Sequence, residues 1–323
     1  MDTQPTYRAR EADGTRAVPT PAAAPSAAAA STSRRRAASR LRALPHLPHE
    51  IAFALFFVVC WAGVAWTRGP ANPVAVEAFG ILAAYVVVLT LLARRGTRGA
   101  WSVRLGMFVL VMGVAYNLSG AVVHAMGTPA RDPLLERIDT LLFGMPLPLR
   151  LQPLIRPWLT DLLSACYAFH YPYVVGSALL VLSWWSGKPG ESAGFYAGLF
   201  TVFAIGFLGY IIVPAAGPYL AIPELFHTPL GGGLVTRANA WIVASGSNAV
   251  DVFPSLHTGA SLFILAFQFR HTRRLFYACV LPVAGLVFAT LYLRYHYGID
   301  VLAGLLLAAL GLLIAEHTRR SRA

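Results

Sequence analysis

Eight apolar stretches, each near the length of a membrane-spanning helix, constrain the fold of this chain more than any other feature. A helix needs about 20 largely apolar residues to cross the hydrocarbon core of a bilayer. Backbone exposed to lipid must also satisfy its hydrogen bonds internally, which helices do. We therefore expect an all-α, polytopic membrane helix bundle with about eight transmembrane helices. The stretches lie at residues 50–67, 75–93, 102–125, 160–185, 193–214, 255–270, 275–293 and 297–316.

The composition agrees with a membrane protein. Of the 323 residues, 57% are hydrophobic and 12% are charged, about half of the roughly 25% that is typical of soluble domains. So few charges cannot cover the surface of a soluble enzyme, and so apolar a chain is not disordered. Three cysteines, an odd number inside apolar runs, exclude a secreted disulfide scaffold.

The positive charges predict how the chain sits in the membrane. The net charge is +12, and 19 of the 26 basic residues fall in the N-terminal tail, three short loops and the C-terminal tail. Cytoplasmic segments are enriched in arginine and lysine. We therefore expect a protein of a bacterial-type plasma membrane with both termini in the cytoplasm. Nucleic-acid binding needs basic residues gathered on one folded face, whereas these are dispersed at helix ends, so no nucleic-acid partner is expected.

Two polar clusters begin the sixth and eighth apolar stretches. Residues 253–258 read Phe-Pro-Ser-Leu-His-Thr, and residues 294–300 read Arg-Tyr-His-Tyr-Gly-Ile-Asp. Ionisable groups are costly at membrane depth, so each one is a candidate for function. The predicted topology places both clusters at the extracytoplasmic face, where they would share one depth.

The side chains in these clusters fit phosphoryl transfer through a covalent phosphohistidine. His296 and Asp300 are four residues apart and share a helix face, and a carboxylate on one ring nitrogen leaves the other as a nucleophile or base. His257 is then a general acid. Ser255 and the N–H groups that open its helix offer donors to an anion, and Arg294 adds positive charge. The alternative for each motif is an ordinary polar contact between helices.

The order Pro-Ser-x-His followed by His-x-x-x-Asp resembles the type 2 phosphatidic acid phosphatase (PAP2) superfamily. More narrowly, Phe-Pro-Ser-Leu-His and Tyr-x-Arg-x-His-Tyr-x-x-Asp-Val are similar to the branch that contains inositol phosphorylceramide synthases. Softer similarities to that branch lie at residues 139–144, 167–172 and 214–218. The resemblance covers about residues 100–316 and implies a six-helix PAP2-like catalytic core. It leaves a disordered cytoplasmic tail at 1–46, two extra transmembrane helices at 47–99 and a cytoplasmic tail at 317–323.

The resemblance also implies roles for single residues. His296 would take the phosphoryl group, Asp300 would orient it, His257 would protonate the leaving oxygen and Ser255 would contact phosphate. The family's usual phosphate-binding arginine corresponds to Thr290 here, so Arg294 is the expected substitute. The family's first motif, a lysine followed by Arg-Pro, is absent, which leaves further phosphate charge to come from Arg237, Arg150 or Arg156.

Weaker candidates complete the predicted site. His170, Tyr171, Arg237 and Asp251 are a possible substrate pocket, and Asn117 and His124 share a face of the third stretch. We expect no metal and no cofactor; the expected partners are a phospholipid or lipid phosphate and membrane lipids, and the oligomeric state stays open.

The sequence supports an enzyme and leaves its acceptor open. We expect an integral-membrane phosphotransferase for lipid phosphates or phospholipid headgroups. Leu256 replaces a glycine that is common in phosphatases, which slightly favours phosphoinositol or other headgroup transfer over a lipid phosphate phosphatase. A metal hydrolase is a second alternative, without an H-E-x-x-H motif. A transporter with a polar relay is a more distant one.

Overall fold

The computed structural model describes residues 46–95, 97–184 and 188–322. Within these ranges the chain is a bundle of helices without β-strands, and one isolated bridge pairs Ala215 with Asp251. The chain is therefore an all-α polytopic membrane bundle. The predicted disordered tail at 1–46 lies outside the described residues, except for residue 46.

Fourteen α-helices follow one another within the described ranges. They are α1 (Pro48–Arg68), α2 (Pro73–Arg95), α3 (Arg98–Gly106), α4 (Phe108–Met126), α5 (Asp132–Phe143), α6 (Leu147–Arg150), α7 (Pro157–Ala168), α8 (His170–Trp184), α9 (Pro189–Ile212), α10 (Pro218–Ala221), α11 (Leu234–Gly246), α12 (Leu256–His271), α13 (Arg273–Tyr292) and α14 (Gly298–Arg320). Short 3₁₀ turns lie at Gln152–Leu154 and Pro223–Leu225.

Seven segments of the described chain are long and apolar enough to cross a membrane, against the eight that the sequence predicts. Two of them join helices: Gly99–Met126 contains α3 and α4, and Pro157–Ser183 contains α7 and α8. The predicted stretch at 255–270 does form α12, but α12 has only 16 residues. It therefore falls short of a full span by length, at about 24 Å.

Proline and glycine set many of the helix boundaries. Proline occupies the first turn of α1, α5, α7 and α9, where its missing N–H costs nothing. Pro172 falls in the first turn of α8 and cannot donate to the carbonyl of residue 168, so the helix is interrupted between α7 and α8. Gly127 and Gly144 end α4 and α5 in the left-handed conformation, with φ of 68° and 81°.

Helix α9 is the centre of the bundle. In the most apolar 18 residues of α9, 78% of the chain is buried, whereas in those of α2 only 22% is buried. Helix α9 is therefore enclosed by other helices, and α2 lies at the periphery. Around α9 pack α14, α1, α4, α12 and α8. Large exposed apolar side chains on the peripheral helices, such as Leu91 and Leu281, are suited to contact lipid.

Glycines allow α9, α12 and α14 to approach closely. A Cβ on Gly198 of α9 would lie 2.5 Å from Phe263 Cε2 and 2.6 Å from the Gly311 carbonyl oxygen. A Cβ on Gly304 of α14 would lie 2.6 Å from the Ser255 carbonyl oxygen. Small residues at helix contacts are a common device for packing in membranes. The positions of α12 and α14 therefore depend on these glycines.

The two ends of the bundle differ in charge. At one end, the start of α9 meets the ends of α12 and α14, where His271 Nδ1 lies 3.4 Å and Arg319 Nη1 3.9 Å from the Glu191 carboxylate. At the opposite end, the Ser255 N–H donates to the Asp300 carbonyl at 3.0 Å and joins the first turns of α12 and α14. Although α12 is shorter than α14, its two ends thus lie near the two ends of α14. The two histidine motifs lie at the end away from Arg319.

We expect Gly198→Ala to destabilise the bundle by about 1–3 kcal/mol, because the added methyl group overpacks the contact with Phe263 and Gly311. Melting temperatures in one detergent would measure the effect. Gly80→Ala on α2 is the matched control: a Cβ there meets nothing within 4 Å, and alanine favours the helix by about 1 kcal/mol. Equal melting temperatures for wild type and Gly198→Ala would contradict this packing.

Candidate active site

His296 and Asp300 form a buried pair at the start of α14. Their exposed fractions are 3% and 0%, and His296 Nδ1 lies 3.4 Å from Asp300 Oδ2. The same carboxylate oxygen accepts a hydrogen bond from the Tyr297 N–H at 2.7 Å. The helix terminus thus holds the carboxylate in front of Nδ1, which leaves the Nε2 side of the ring for another partner.

His257 lies on the first turn of α12 and faces the same region. Its ring centroid is 6.0 Å from that of His296. Its Nε2 is buried and has no hydrogen-bond partner among the described residues. A buried nitrogen without a hydrogen bond costs free energy. A role in accepting or donating a proton is one reason why a protein would have such a nitrogen. The two motif histidines are therefore neighbours in space, although they are 39 positions apart in the sequence.

Two residues around the break between α7 and α8 surround His257. Tyr167 stacks on its ring with centroids 4.4 Å apart, and the His170 ring lies 4.3 Å away. His170 Nδ1 is 3.0 Å from Ser261 Oγ, which fixes the orientation of that ring. The break near Phe169 thus brings a third histidine to the site.

These side chains line one cavity of about 390 Å³. Its size is in the range of small-molecule sites. Of the predicted residues, it brings together His257, His296, His170, Tyr171 and Asp251. The rest of the lining is largely aromatic and apolar, with Met112, Tyr116, Tyr167, Val174, Val175, Phe203, Phe207, Tyr210, Tyr219, Ile242, Val243, Val252, Leu256 and Tyr295.

Ser255 is placed as a helix cap. It is fully buried, and its Oγ accepts a hydrogen bond from the Thr258 N–H at 3.3 Å at the start of α12. A serine cap satisfies one of the free N–H groups of a helix start. Ser255 is not among the residues that line the cavity.

The predicted arginines do not line the cavity either. The Arg294 guanidinium donates to the Thr228 carbonyl oxygen and lies over the Phe226 ring, 4.1 Å from its centroid. Burial lowers the pKa of this guanidinium from its ordinary value. Arg237 is exposed on α11, and Arg150 and Arg156 donate to nearby backbone carbonyls. The described lining of the cavity therefore contains no arginine or lysine.

Five tyrosines of the cavity and Ser247 were not predicted from the sequence, whereas Tyr171 was. Tyrosine inside an apolar stretch gives no local sign of where its hydroxyl group points, so only the packing identifies these residues. The neighbouring candidates behave differently: Asn117 Nδ2 donates to the Gly113 carbonyl and His124 Nδ1 contacts the Gly120 carbonyl, both on their own helix. The cavity residues that sequence reasoning missed include Tyr116, Tyr167, Tyr210, Tyr219, Ser247 and Tyr295.

Helix α5 holds the start of α14 through a buried carboxylate. Asp139 is fully buried and accepts hydrogen bonds from the Gly298 and Ile299 N–H groups, each at 2.8 Å. Carboxylates stabilise helix N-termini by hydrogen bonding and by the helix dipole. With the Tyr297 N–H bound to Asp300, three successive N–H groups at this terminus are satisfied by carboxylates. Asp139 thereby fixes the helix that carries the His296–Asp300 pair.

We expect Asp139→Ala to loosen the start of α14, because two buried N–H groups lose their partner at about 1–3 kcal/mol each. Hydrogen exchange of the amides of residues 297–299 should accelerate by at least about tenfold, as measured by mass spectrometry. Arg137→Ala, an exposed position on the same helix, is the control and should leave the exchange unchanged. Unchanged protection in Asp139→Ala would contradict the anchoring of α14 by α5.

The comparison with known protein families covers this site. The sequence model of the PAP2 superfamily matches residues 135–314, from α5 into α14. The matched region contains His170, His257, His296 and Asp300, whereas Tyr116 on α4 lies outside it. No curated protein and no solved structure matches the chain. Because the family match covers more than half of the 323 residues, the chain belongs to the PAP2 superfamily.

Proposed function

We propose that this protein is an integral-membrane phosphotransferase that acts on lipid phosphates or phospholipid headgroups through a phosphohistidine. Members of the PAP2 superfamily are generally phosphatases or phosphotransferases. The observation that carries the proposal is the His296–Asp300 pair, which shares one cavity with His257 at 6.0 Å between ring centroids. The proximity of these three side chains supports their proposed roles as nucleophile, orienting acid and proton donor.

In the first step, Nε2 of His296 attacks the phosphorus atom of the substrate. A bond forms between this nitrogen and phosphorus, and the bond from phosphorus to the leaving oxygen breaks. His257 gives its proton to that oxygen, which leaves as an alcohol. Asp300 accepts the Nδ1–H of His296 and stabilises the positive charge that develops on the ring.

In the second step, His257 removes a proton from an acceptor hydroxyl group. The acceptor oxygen attacks phosphorus, the bond from phosphorus to His296 breaks, and the histidine is restored. Water as acceptor makes the enzyme a phosphatase, and an alcohol makes it a transferase. We favour transfer of phosphoinositol or another headgroup, as in the inositol phosphorylceramide synthase branch. Leu256 supports this choice, because it lines the cavity in place of the glycine that is common in phosphatases.

The phosphate group would bind between the histidines and the start of α12. The N–H groups of that helix terminus and its dipole favour an anion. Contacts from Ser255 and Arg294 are part of the proposal. The Arg294 guanidinium would first have to leave the Thr228 carbonyl and the Phe226 ring, and Ser255 Oγ would have to turn from its capping bond.

We propose that the site faces the extracytoplasmic side of a plasma membrane with both termini in the cytoplasm. The site lies at the end of the bundle away from Arg319, and the basic loops at 94–104 and 270–274 predict the cytoplasmic side. A lipid substrate would then come from the outer leaflet. The apolar and aromatic lining of the cavity supports a lipid over a soluble phosphoester.

Two further activities are alternatives. A metal hydrolase needs three or four converging ligands, and the described residues contain no group of three His, Cys, Asp or Glu side chains that could hold a metal ion. Activity that survives EDTA would count against it. A transporter would use the buried histidines as a proton relay. Flux in proteoliposomes that persists in His296→Ala without phosphoester turnover would favour the transporter.

We expect His296→Ala and His257→Ala to abolish phosphoester turnover, since they remove the nucleophile and the proton donor. Asp300→Asn should lower kcat by about 10²–10⁴-fold, because the ring loses its orienting acid. Release of alcohol and phosphate from lipid substrates in detergent micelles would be followed by mass spectrometry. His124→Ala, an exposed histidine that contacts its own helix, is the matched control. Wild-type turnover in His296→Ala would refute the mechanism.

Vanadate should inhibit the enzyme, because it adopts the trigonal bipyramidal geometry of phosphoryl transfer and can bond to the histidine nitrogen. Inhibition should be competitive with the lipid substrate and absent from any residual activity of His296→Ala. Steady-state kinetics over a vanadate titration would measure it. Complete indifference of the wild-type enzyme to vanadate would count against a phosphohistidine.

A further inference from the structure

One cluster of three polar side chains in the cavity has no part in the proposed phosphoryl transfer. Tyr116, Ser247 and Asp251, here called the Asp251 cluster, come from α4, from the end of α11 and from the loop that leads to α12. The Tyr116 hydroxyl group donates to Asp251 Oδ2 at 2.6 Å, and Ser247 Oγ donates to Asp251 Oδ1 at 2.7 Å. All three residues line the same cavity as His257 and His296.

The free hydrogen-bonding positions of the Asp251 cluster are acceptors. Each hydroxyl group has one proton, and these protons are directed to the carboxylate or, for Tyr116, to the Gly246 carbonyl at 2.8 Å. An ionised carboxylate has about four acceptor positions and no donor, so Asp251 keeps positions free after accepting from Tyr116 and Ser247. The cluster can therefore receive hydrogen bonds from a ligand but has little to donate.

The charges of the cavity favour the same kind of ligand. Asp251 is the only aspartate or glutamate among the described lining residues, and no arginine or lysine accompanies it there. A carboxylate without a cation disfavours a second anion nearby. A phosphate group would therefore bind near the histidines, and the Asp251 cluster would bind a part of the substrate that carries N–H or O–H groups and no negative charge.

We propose that the Asp251 cluster binds the head-group alcohol of the phospholipid, through hydroxyl or ammonium groups that donate to the Asp251 carboxylate. This inference rests on the proposed function, since it assigns the alcohol that leaves from, or is joined to, phosphorus at His296. A polyol and an amino alcohol both offer this chemistry. Phosphatidic acid, which has no head-group alcohol, offers none of it.

The test compares three lipids with identical acyl chains in the same detergent micelles: phosphatidylglycerol, phosphatidylethanolamine and phosphatidic acid. The quantity measured is the ratio of kcat/KM for each head-group lipid to that for phosphatidic acid. We expect the ratio to exceed one for phosphatidylglycerol, phosphatidylethanolamine or both. A higher ratio for phosphatidylglycerol identifies hydroxyl groups as the donors, and a higher ratio for phosphatidylethanolamine identifies the ammonium group. Asp251→Asn should lower that ratio by about 10–100-fold, as expected for loss of a charged hydrogen bond.

Two further variants make the test specific. Tyr116→Phe should lower the ratio in the same direction by a smaller factor, because the carboxylate loses one of its two orienting donors. Asp161→Asn is the matched control, because Asp161 accepts from the Gly233 N–H outside the cavity, and it should leave the ratio unchanged. A ratio unaffected by Asp251→Asn, or an equal loss on all three lipids, would overturn the inference.

Binding separates this inference from the proposed function. Competition of the three lipids against a fluorescent phospholipid should be measured with His296→Ala and with the double variant that adds Asp251→Asn. The expected result is a preference for a head-group lipid in the single variant that is lost in the double variant. If the wild type turns over no lipid but this preference is present, the phosphotransferase fails and the head-group site stands. Turnover that needs His296 without any such preference refutes the head-group site alone.

Discussion

The candidate site depends on the close packing of α12 against α14. Gly304 lets α14 approach the Ser255 carbonyl, and the Ser255 N–H donates to the Asp300 carbonyl across the same contact. This contact joins the first turns of the two helices that carry His257 and His296. A larger residue at Gly304 would separate the turns, and the histidines with them. The distance between His257 and His296 is thus set by backbone packing rather than by their side chains.

Carboxylates have distinct tasks around this contact. Asp139 and Asp300 satisfy the N–H groups at the start of α14, and Asp132 accepts from the Ala216 and Gly217 N–H groups at 2.9 and 2.8 Å. These three acids are buried and accept hydrogen bonds from backbone N–H groups, and Asp300 also faces the His296 ring. Asp251 differs because it lines the cavity and is held by hydroxyl groups. Of these four acids, Asp132 and Asp139 are thus structural.

The sequence predicted the bundle, the helix that begins at each motif and the proximity of His257 to His296. Hydropathy and motif order can be read directly from the linear sequence, so these features could be predicted. The prediction counted the stretch at 255–270 as a full span, although a span needs about 20 residues and α12 has only 16. It could not show where the Arg294 side chain points or that Tyr116 reaches Asp251, since both depend on segments distant in sequence. Those contacts are set by tertiary packing.

The turn between α13 and α14 explains why Arg294 is bound away from the cavity. Arg294 has a φ of 68°, a conformation that is costly for a residue other than glycine. The surrounding bonds hold it there: its carbonyl accepts from the Tyr219 N–H at 3.0 Å, and its guanidinium binds Thr228. The Thr290 carbonyl accepts from the His296 N–H at 3.0 Å. Because the turn is fixed at these points, contacts within the protein alone hold the backbone of His296 in place.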